Sequence, residues 1–324
     1  MSCSEDTLIA WFGEIDRGDV SIAGGKGASL SDMARAGLPV PPGFVICTGA
    51  FEQFLRESRL AGEIERRIQG LNVEDSVMLE RVAEEITQKI EAQQPSENLR
   101  GMIVAAYQKL CADYGDLAIV AVRSSAAAED SQAASFAGQQ ETFLNIYGED
   151  CVMNQVRACW SSFFKPRAIF YRGQKGNLKD TSMAVVVQRM VNPDKSGVMF
   201  TADPVQRRRD RVMIEAAWGL GEAVVSGLVT PDNYVVNKTD GRLVSKFISR
   251  KTVMIIREDN GIGVREVELP PEKAQAQVLT SEEIAQLAEL GNLIEKHFGC
   301  PQDVEWAIEG NSLYVLQSRP VTTL

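Results

Sequence analysis

The segment Gln302-Asp303-Val304-Glu305-Trp306-Ala307-Ile308, followed nine residues later by Gln317-Ser318-Arg319-Pro320, sets two carboxylates, an amide and an arginine on two short strand-like runs. Asp303 and Glu305 alternate with Val304 and Trp306, so on a strand both carboxylates face one way and the apolar pair the other. Leu313–Leu316 forms the second run, and Glu309-Gly310-Asn311 reads as a hairpin turn because Gly and Asn tolerate positive φ. Partners across an antiparallel ladder share a face. Asp303 and Glu305 therefore join Gln317 and Arg319 only where paired positions sum to an even number, which requires a three-residue loop, or a bulge, near Gly310. A clean two-residue loop puts Gln317 and Arg319 on the opposite face. Carboxylate and amide oxygens suit Mg²⁺, which keeps several waters and takes substrate phosphates as its other ligands, with Arg319 meeting a phosphate beside it. The alternative is a solvated hairpin face with one surface salt bridge.

Other segments offer groups for phosphate. Gly24-Gly25-Lys26-Gly27 stands at the entrance of a helix, where open backbone N–H groups, the positive end of the helix dipole and an ammonium favour an anion. It is not a Walker A loop, because Gly27 rather than Ser or Thr follows the lysine. The competing reading is a surface turn with an exposed lysine. Arg123 ends the apolar run Ala118–Val122 beside Ser124 and Ser125, a placement suited to bidentate contact with phosphate oxygens. The stretch Ser131–Gly138 has the composition of a closing lid, with Gly138 and Thr142 offering an N–H and a hydroxyl to a nucleotide. A surface pair of Arg123 with Glu129 or Asp130 is the alternative. Gln188-Arg189-Met190-Val191 ends a further strand, where backbone groups can meet a flat base and Met190 can pack on it, or simply join the core.

The remaining candidates are weaker. Gly219-Leu220-Gly221-Glu222 and Gly227 lack dinucleotide-fingerprint spacing, and Arg207-Arg208-Arg209-Asp210-Arg211 reads as a solvated hairpin tip, the alternative being a basic dock for a partner. His297, the one histidine, sits at a helix C-terminus without base or nucleophile geometry around it.

These groups need a frame to hold them. A chain of 324 residues, 44% apolar, is long enough for two domains or one two-lobed one. Its net charge of −10 argues against nucleic acid as the main partner but leaves room for a nucleotide in a local basic pocket. Six scattered cysteines without a CxxC pair, and a start without a basic, apolar leader, point to the reducing cytoplasm. No run reaches membrane-spanning length. Periodicity predicts a helix after the glycine-lysine turn, closed by Gly37, and a strand at Phe44–Cys47. Thr48 then caps a mostly helical stretch to about residue 112, broken near 70–72 and 94–96. Strands follow at Ala118–Val122 and Met183–Gln188 with a helical segment around Trp160, Phe163, Phe164 and Ile169 between them. Beyond residue 190 come strands at Gly197–Thr201, Val212–Glu215, Asn233–Val236 and Lys251–Ile256, then a helix from the capping box Thr280–Glu283 to Gly299. The order suggests an α+β or α/β chain in two lobes meeting near residue 190.

Taken in order, Gly24-Gly-Lys-Gly-Ala-Ser-Leu30, Pro39-Val-Pro-Pro-Gly-Phe44, Val122-Arg-Ser-Ser125, Phe136-Ala-Gly-Gln-Gln-Glu-Thr142, Ser196-Gly-Val-Met-Phe-Thr201, Glu215-Ala-Ala-Trp-Gly-Leu-Gly-Glu222, Gln302-Asp-Val-Glu-Trp306 and Leu316-Gln-Ser-Arg-Pro320 span nearly the whole chain. The set resembles the ATP-grasp nucleotide-binding domain of phosphoenolpyruvate synthase, pyruvate phosphate dikinase and rifampicin phosphotransferase. The resemblance implies an α+β, two-lobed ATP-grasp fold, residues 1–190 and 191–324, with Mg-ATP in the cleft between lobes. It further implies that Lys26 and Arg123 contact phosphates, Gly138 and Thr142 belong to the loop over them, and Gln188 lies by the base. Glu305 and Gln317 would hold Mg²⁺, with Asp303 nearby and Arg319 on the phosphates.

The implied reaction passes a phosphoryl group to a histidine, with AMP and phosphate as final nucleotide products in the synthase-like branch. Family members acting alone carry a mobile histidine domain and an acceptor-binding domain, and neither is found in these 324 residues. The expected partners are therefore a phosphohistidine-bearing domain or subunit and an acceptor-binding one, with the chain either an excised domain or a subunit of a split enzyme such as phenylphosphate synthase. Pyruvate is the expected final acceptor, with phenol and rifampicin as alternatives. A non-catalytic, ATP-responsive regulatory module is the competing class.

Overall fold

A computed structural model describes residues 3–4, 6–114, 117–126, 141–174 and 182–322. The chain divides into two compact units, Met1–Ala36 with Pro42–Met190, and Gly37–Pro41 with Val191–Leu324.

The first unit runs β1 (Ile9–Trp11), α1 (Val20–Arg35), β2 (Gly43–Ile46), α2 (Thr48–Glu57), α3 (Ala61–Ile68), α4 (Ser76–Ala92), α5 (Glu97–Tyr114), β3 (Val120–Ala126), β4 (Thr142–Ile146), α6 (Glu149–Ser162), α7 (Pro166–Gln174) and β5 (Met183–Arg189). Its five strands pair antiparallel in the order β1-β2-β5-β3-β4. Side chains alternate across each strand, so Phe44, Ile46, Val120, Val122, Val185 and Val187 point together into the helical core. There Trp160 packs against Phe54 and Phe51, with ring centroids 4.9 and 5.5 Å away. The other face, carrying Val45, Arg123, Ser125 and Val186, receives α1. Contact there is so close that a Cβ on Gly27 would stand 3.1 Å from Val45.

The second unit runs β6 (Lys195–Phe200), β7 (Arg211–Trp218), α8 (Glu222–Val225), β8 (Asp232–Asn237), β9 (Leu243–Phe247), β10 (Val253–Arg257), β11 (Val264–Glu268), α9 (Pro271–Ala274), α10 (Ser281–Phe298), β12 (Gln302–Glu309) and β13 (Ser312–Pro320). Six strands pair antiparallel in the order β13-β12-β6-β7-β8-β9, and β10 with β11 forms a separate ribbon. One face of the large sheet buries Met199, Ile214, Tyr234, Val304 and Trp306, and α10 covers it, its Gly291 lying against Met199. The expected capping box starts α10, with Glu283 N–H donating to Thr280 Oγ1 at 3.2 Å and Thr280 N–H to Glu283 Oε2 at 2.7 Å. Gly299, at φ 74°, ends it.

A fully buried ion pair of Asp232 with Lys251 pins the loops beside β8. Asp232 also accepts from Val278 N–H at 2.8 Å, Ser249 N–H at 3.0 Å and the Tyr234 hydroxyl at 3.0 Å, so its charge is hydrogen-bonded as well as paired.

The architecture is α+β. Several local expectations need correction. Cys47, not Thr48, is the N-cap of α2, and the Thr48 hydroxyl donates to the Ser21 carbonyl instead. The helical stretch has an unforeseen break at 58–60, where Arg59 takes φ 59°. Strands β1, β4, β9 and β11 were not expected, and β3 starts two residues later than Ala118. Among the described residues no helix is long and apolar enough to cross a membrane, and all six cysteines are free.

Candidate functional site

The glycine-lysine segment lies inside α1 rather than before it. At Gly24 the helix breaks step, with φ 68° and ψ 167°. Only glycine fits, because a Cβ there would fall 2.2 Å from the Ser125 carbonyl oxygen. This close approach lets β3 supply the partners of the turn. Gly27 N–H donates to Ser125 Oγ at 3.0 Å, and that hydroxyl donates to the Ala23 carbonyl at 2.8 Å. Lys26 Nζ donates to the Ser124 carbonyl at 2.7 Å and the residue is only 3% exposed, which overturns the surface-turn alternative.

Arg123, 8% exposed, projects from β3 on the face that meets α1, directly opposite Thr142 on β4 and Val186 on β5. Gln188, 2% exposed, is two residues further along β5 opposite Ala121, on the same face. Lys26, Arg123, Thr142 and Gln188 thus gather on one side of one sheet. Met190 follows, buried, its sulfur 3.0 Å from the donating N–H of Asn145, so it packs within the first unit; Val191 opens the second. Gly138 and the expected lid, with Glu129 and Asp130, lie outside the described residues.

In the second unit the hairpin forms a second group. Asp303 pairs with Arg319 and Glu305 with Gln317 across the β12–β13 ladder, so all four share the face not covered by α10. The turn itself is a clean two-residue loop, Gly310-Asn311, between paired Glu309 and Ser312, contrary to one expectation. Parity is restored by a bulge further along, where Leu316 is the extra residue between pairs Trp306↔Val315 and Glu305↔Gln317. Arg319 Nε donates to Asp303 Oδ2 at 2.8 Å, and Nη2 lies 2.8 Å from the same oxygen as an ion pair. Asp303 Oδ1 makes no hydrogen bond to a described residue.

Burial pushes the Asp303 carboxyl above its usual range, Arg319 pulls it back, and the Glu305 charge adds to the rise. Glu215, on β7, is raised by burial and by the charge of Asp303. Sequence reasoning assigned it no role. The signal was present as a lone carboxylate within the apolar strand 212–217, but its meaning depends on four strands being in register. Among the described residues no group of three or more His, Cys, Asp or Glu side chains is placed to hold a metal by itself. Glu305 and Gln317 nonetheless offer two oxygen donors side by side, a set that fits Mg²⁺ bound jointly with phosphates. The arginine-rich tip stays solvated, Arg208 pairing with Asp210 at 2.6 Å.

Residues 20–324 match the family model described as the pyruvate phosphate dikinase AMP/ATP-binding domain, and the chain belongs to that family. It is 50% identical over 317 residues to a probable phosphoenolpyruvate synthase of Archaeoglobus fulgidus, covering 98% of this chain and 42% of that protein. A probable phosphoenolpyruvate synthase of Methanocaldococcus jannaschii is also 50% identical, over 98% of this chain and 27% of that protein. The rifampicin phosphotransferase of Bacillus subtilis is 39% identical, over 98% of this chain and 36% of that protein. The chain thus spans less than half the length of each of these relatives.

Proposed function

We propose that this chain is the Mg-ATP-binding part of a dikinase-type phosphotransferase and passes a phosphoryl group to a histidine on another domain or subunit. Pyruvate is the final acceptor by analogy with the phosphoenolpyruvate synthases that it resembles at 50% identity, with phenol and rifampicin as alternatives. The observation that carries the reading is the burial of Lys26 and Arg123 on one sheet face of a protein with net charge −10. Two cations on one face suit the phosphates of a nucleotide, and the ATP-binding family supplies that ligand's identity.

In the ATP-grasp arrangement both groups of residues act on one nucleotide. Lys26 and Arg123 neutralise phosphate oxygens, and Thr142, with Gly138, lies over them. Gln188, Met190 and Val191 border the base. Glu305 and Gln317 would hold the cation, with Asp303 beside them, while Arg319, kept in place by Asp303, meets the transferring phosphate. Bound Mg²⁺ neutralises charge that develops on the phosphate oxygens. The work asked of these side chains is positioning and electrostatic stabilisation, with no covalent step on this chain.

Calorimetric titration with Mg-ATP tests the site. Lys26→Met should weaken binding by about 100-fold or more while the thermal melt stays cooperative. Unchanged affinity would reject the assignment. Release of AMP when a histidine-bearing partner is added separates the enzyme from an ATP-responsive regulator, which would bind the nucleotide and release none.

A further inference from the structure

The row of the sheet that holds Gln317 and Glu305 continues in register through Val198, Glu215 and Asn233 to Phe247 on the edge strand β9. Cross-strand partners share a face, so all six side chains stand on the side opposite α10. Glu215 and Asn233 are half-buried neighbours. Among the described residues, neither the Glu215 carboxylate nor the Asn233 amide takes part in a hydrogen bond or ion pair. Phe247, beside Asn233, is 59% exposed. A carboxylate, an amide and an open aromatic ring in a line form a seat without an occupant from this unit.

We propose that Glu215, Asn233 and Phe247 receive the imidazole ring of the histidine that accepts the phosphoryl group, an inference that rests on the proposed function. The chemistry of the seat selects such a ring. Imidazole is flat enough to lie against Phe247, and one ring N–H can donate to Glu215 while the other nitrogen stays free to attack. Asn233 Oδ1 or Nδ2 holds the ring edge. In the transfer step the free nitrogen's lone pair forms the N–P bond. The P–O bond to the nucleotide breaks and its electron pair leaves on that oxygen. The ring gains positive charge and keeps its other N–H on Glu215, whose carboxylate offsets that charge, and no proton has to leave in this step.

Spacing along the row fits this order. Glu215 is two strands from Glu305, about 10 Å between Cα atoms, with the short, half-buried Val198 side chain between them. Asp303 is occupied by Arg319, Glu305 belongs to the proposed cation site and Glu309 accepts from Asn192 N–H, which among the described residues of this face leaves Glu215 for the nucleophile.

Free imidazole serves as the probe. The intact chain is mixed with Mg-ATP and imidazole, phosphoimidazole is followed by phosphorus NMR, and Mg-ATP affinity is measured in parallel. The wild type should form phosphoimidazole. Glu215→Gln should slow it about 10- to 100-fold at saturating Mg-ATP with unchanged nucleotide affinity, and Glu215→Asp should recover part of the rate. Phe247→Ala, a surface change that leaves the core intact, should raise the imidazole concentration needed for half-maximal rate. The proposal is overturned if the wild type binds Mg-ATP but forms no phosphoimidazole, or if Glu215→Gln keeps full rate. It is equally overturned if Glu215→Gln weakens Mg-ATP as much as Glu305→Gln does, which would put Glu215 in the cation shell. Absence of Mg-ATP binding by the wild type is a separate result that defeats the proposed function itself.

Discussion

Glu305 faces Gln317 across the β12–β13 ladder because Leu316 steps out of it. With the two-residue turn alone, Glu305 would pair with Leu316 and the amide would point into the side covered by α10. One bulged residue therefore decides on which face the amide and the arginine stand. The metal-binding reading depends on that pairing. Replacing Glu305 with Gln keeps the shape and removes the charge. Mg²⁺ affinity in the presence of ATP should fall about 10- to 100-fold with the melting temperature unchanged, measured by titrating Mg²⁺ at fixed ATP. Full retention of Mg²⁺ affinity would remove Glu305 from the site.

Of the described glycines of the first unit, Gly24 leaves the least room for a side chain. Alanine there combines a φ of 68° with a Cβ 2.2 Å from the backbone oxygen of Ser125. The variant should lose about 3 kcal/mol or more in chemical denaturation, because neither the strained backbone nor the β3 carbonyl can relax cheaply. Mg-ATP binding should weaken as well, since the same approach delivers Lys26 to Ser124. A neutral Gly24→Ala would show that α1 can separate from β3 without consequence.

Arg319 holds the Asp303 carboxyl down against burial and the charge of Glu305. Removing the cation in Arg319→Ala leaves only the raising influences, so Asp303 takes up its proton at higher pH. Protonation removes a negative charge from the cation's surroundings. The acid limb of Mg-ATP affinity should therefore move to higher pH in the variant, as read from dissociation constants measured between mildly acidic and neutral pH. An unmoved limb would mean that Asp303 does not influence binding.

Tyr107 bridges α5 to the chain entering β3 and α6. Its hydroxyl donates to the Ala118 carbonyl at 2.8 Å and accepts from Gly148 N–H at 2.9 Å. Burial pushes the phenol from 10.0 up to about 12. The folded protein therefore favours the protonated form. That contribution is complete below the unfolded value of 10.0 and is lost as pH rises toward about 12. Tyr107→Phe should cost about 1–3 kcal/mol at neutral pH and should flatten the decline in stability over this alkaline range, both measurable by urea denaturation. A parallel decline in the two proteins would refute the assignment.

What the sequence revealed depended on how local each feature was. That Asp303 shares a face with Glu305, and Gln317 with Arg319, follows from period-two alternation alone, and the ladder brings the two pairs together on one face. The position of the bulge was not legible, since an extra residue can be absorbed at several points of a hairpin with similar local cost, and the expectation near Gly310 missed Leu316. Burial of Lys26 was equally hidden. Nothing within the turn distinguishes a surface loop from one that docks on Ser124 and Ser125, 98 residues later. Edge strand β9 was missed because all five of its residues are exposed, which erases the alternation that marks a half-buried strand. The helix α10, by contrast, carries its start and stop signals within itself and was found from them.

The short segment Gly37–Pro41 belongs to the second unit although it is encoded within the first, and Pro39 offers its carbonyl to the N–H of Val315 on β13 at 2.9 Å. The chain thus passes from one unit to the other three times, after Ala36, Pro41 and Met190. A gene cut between codons 190 and 191 would not yield two complete modules. The C-terminal fragment would lack a piece of itself that the N-terminal fragment still carries. Recombination or domain shuffling can move these units only together, and a fragment-complementation assay should restore the second unit better when residues 37–41 are supplied with it.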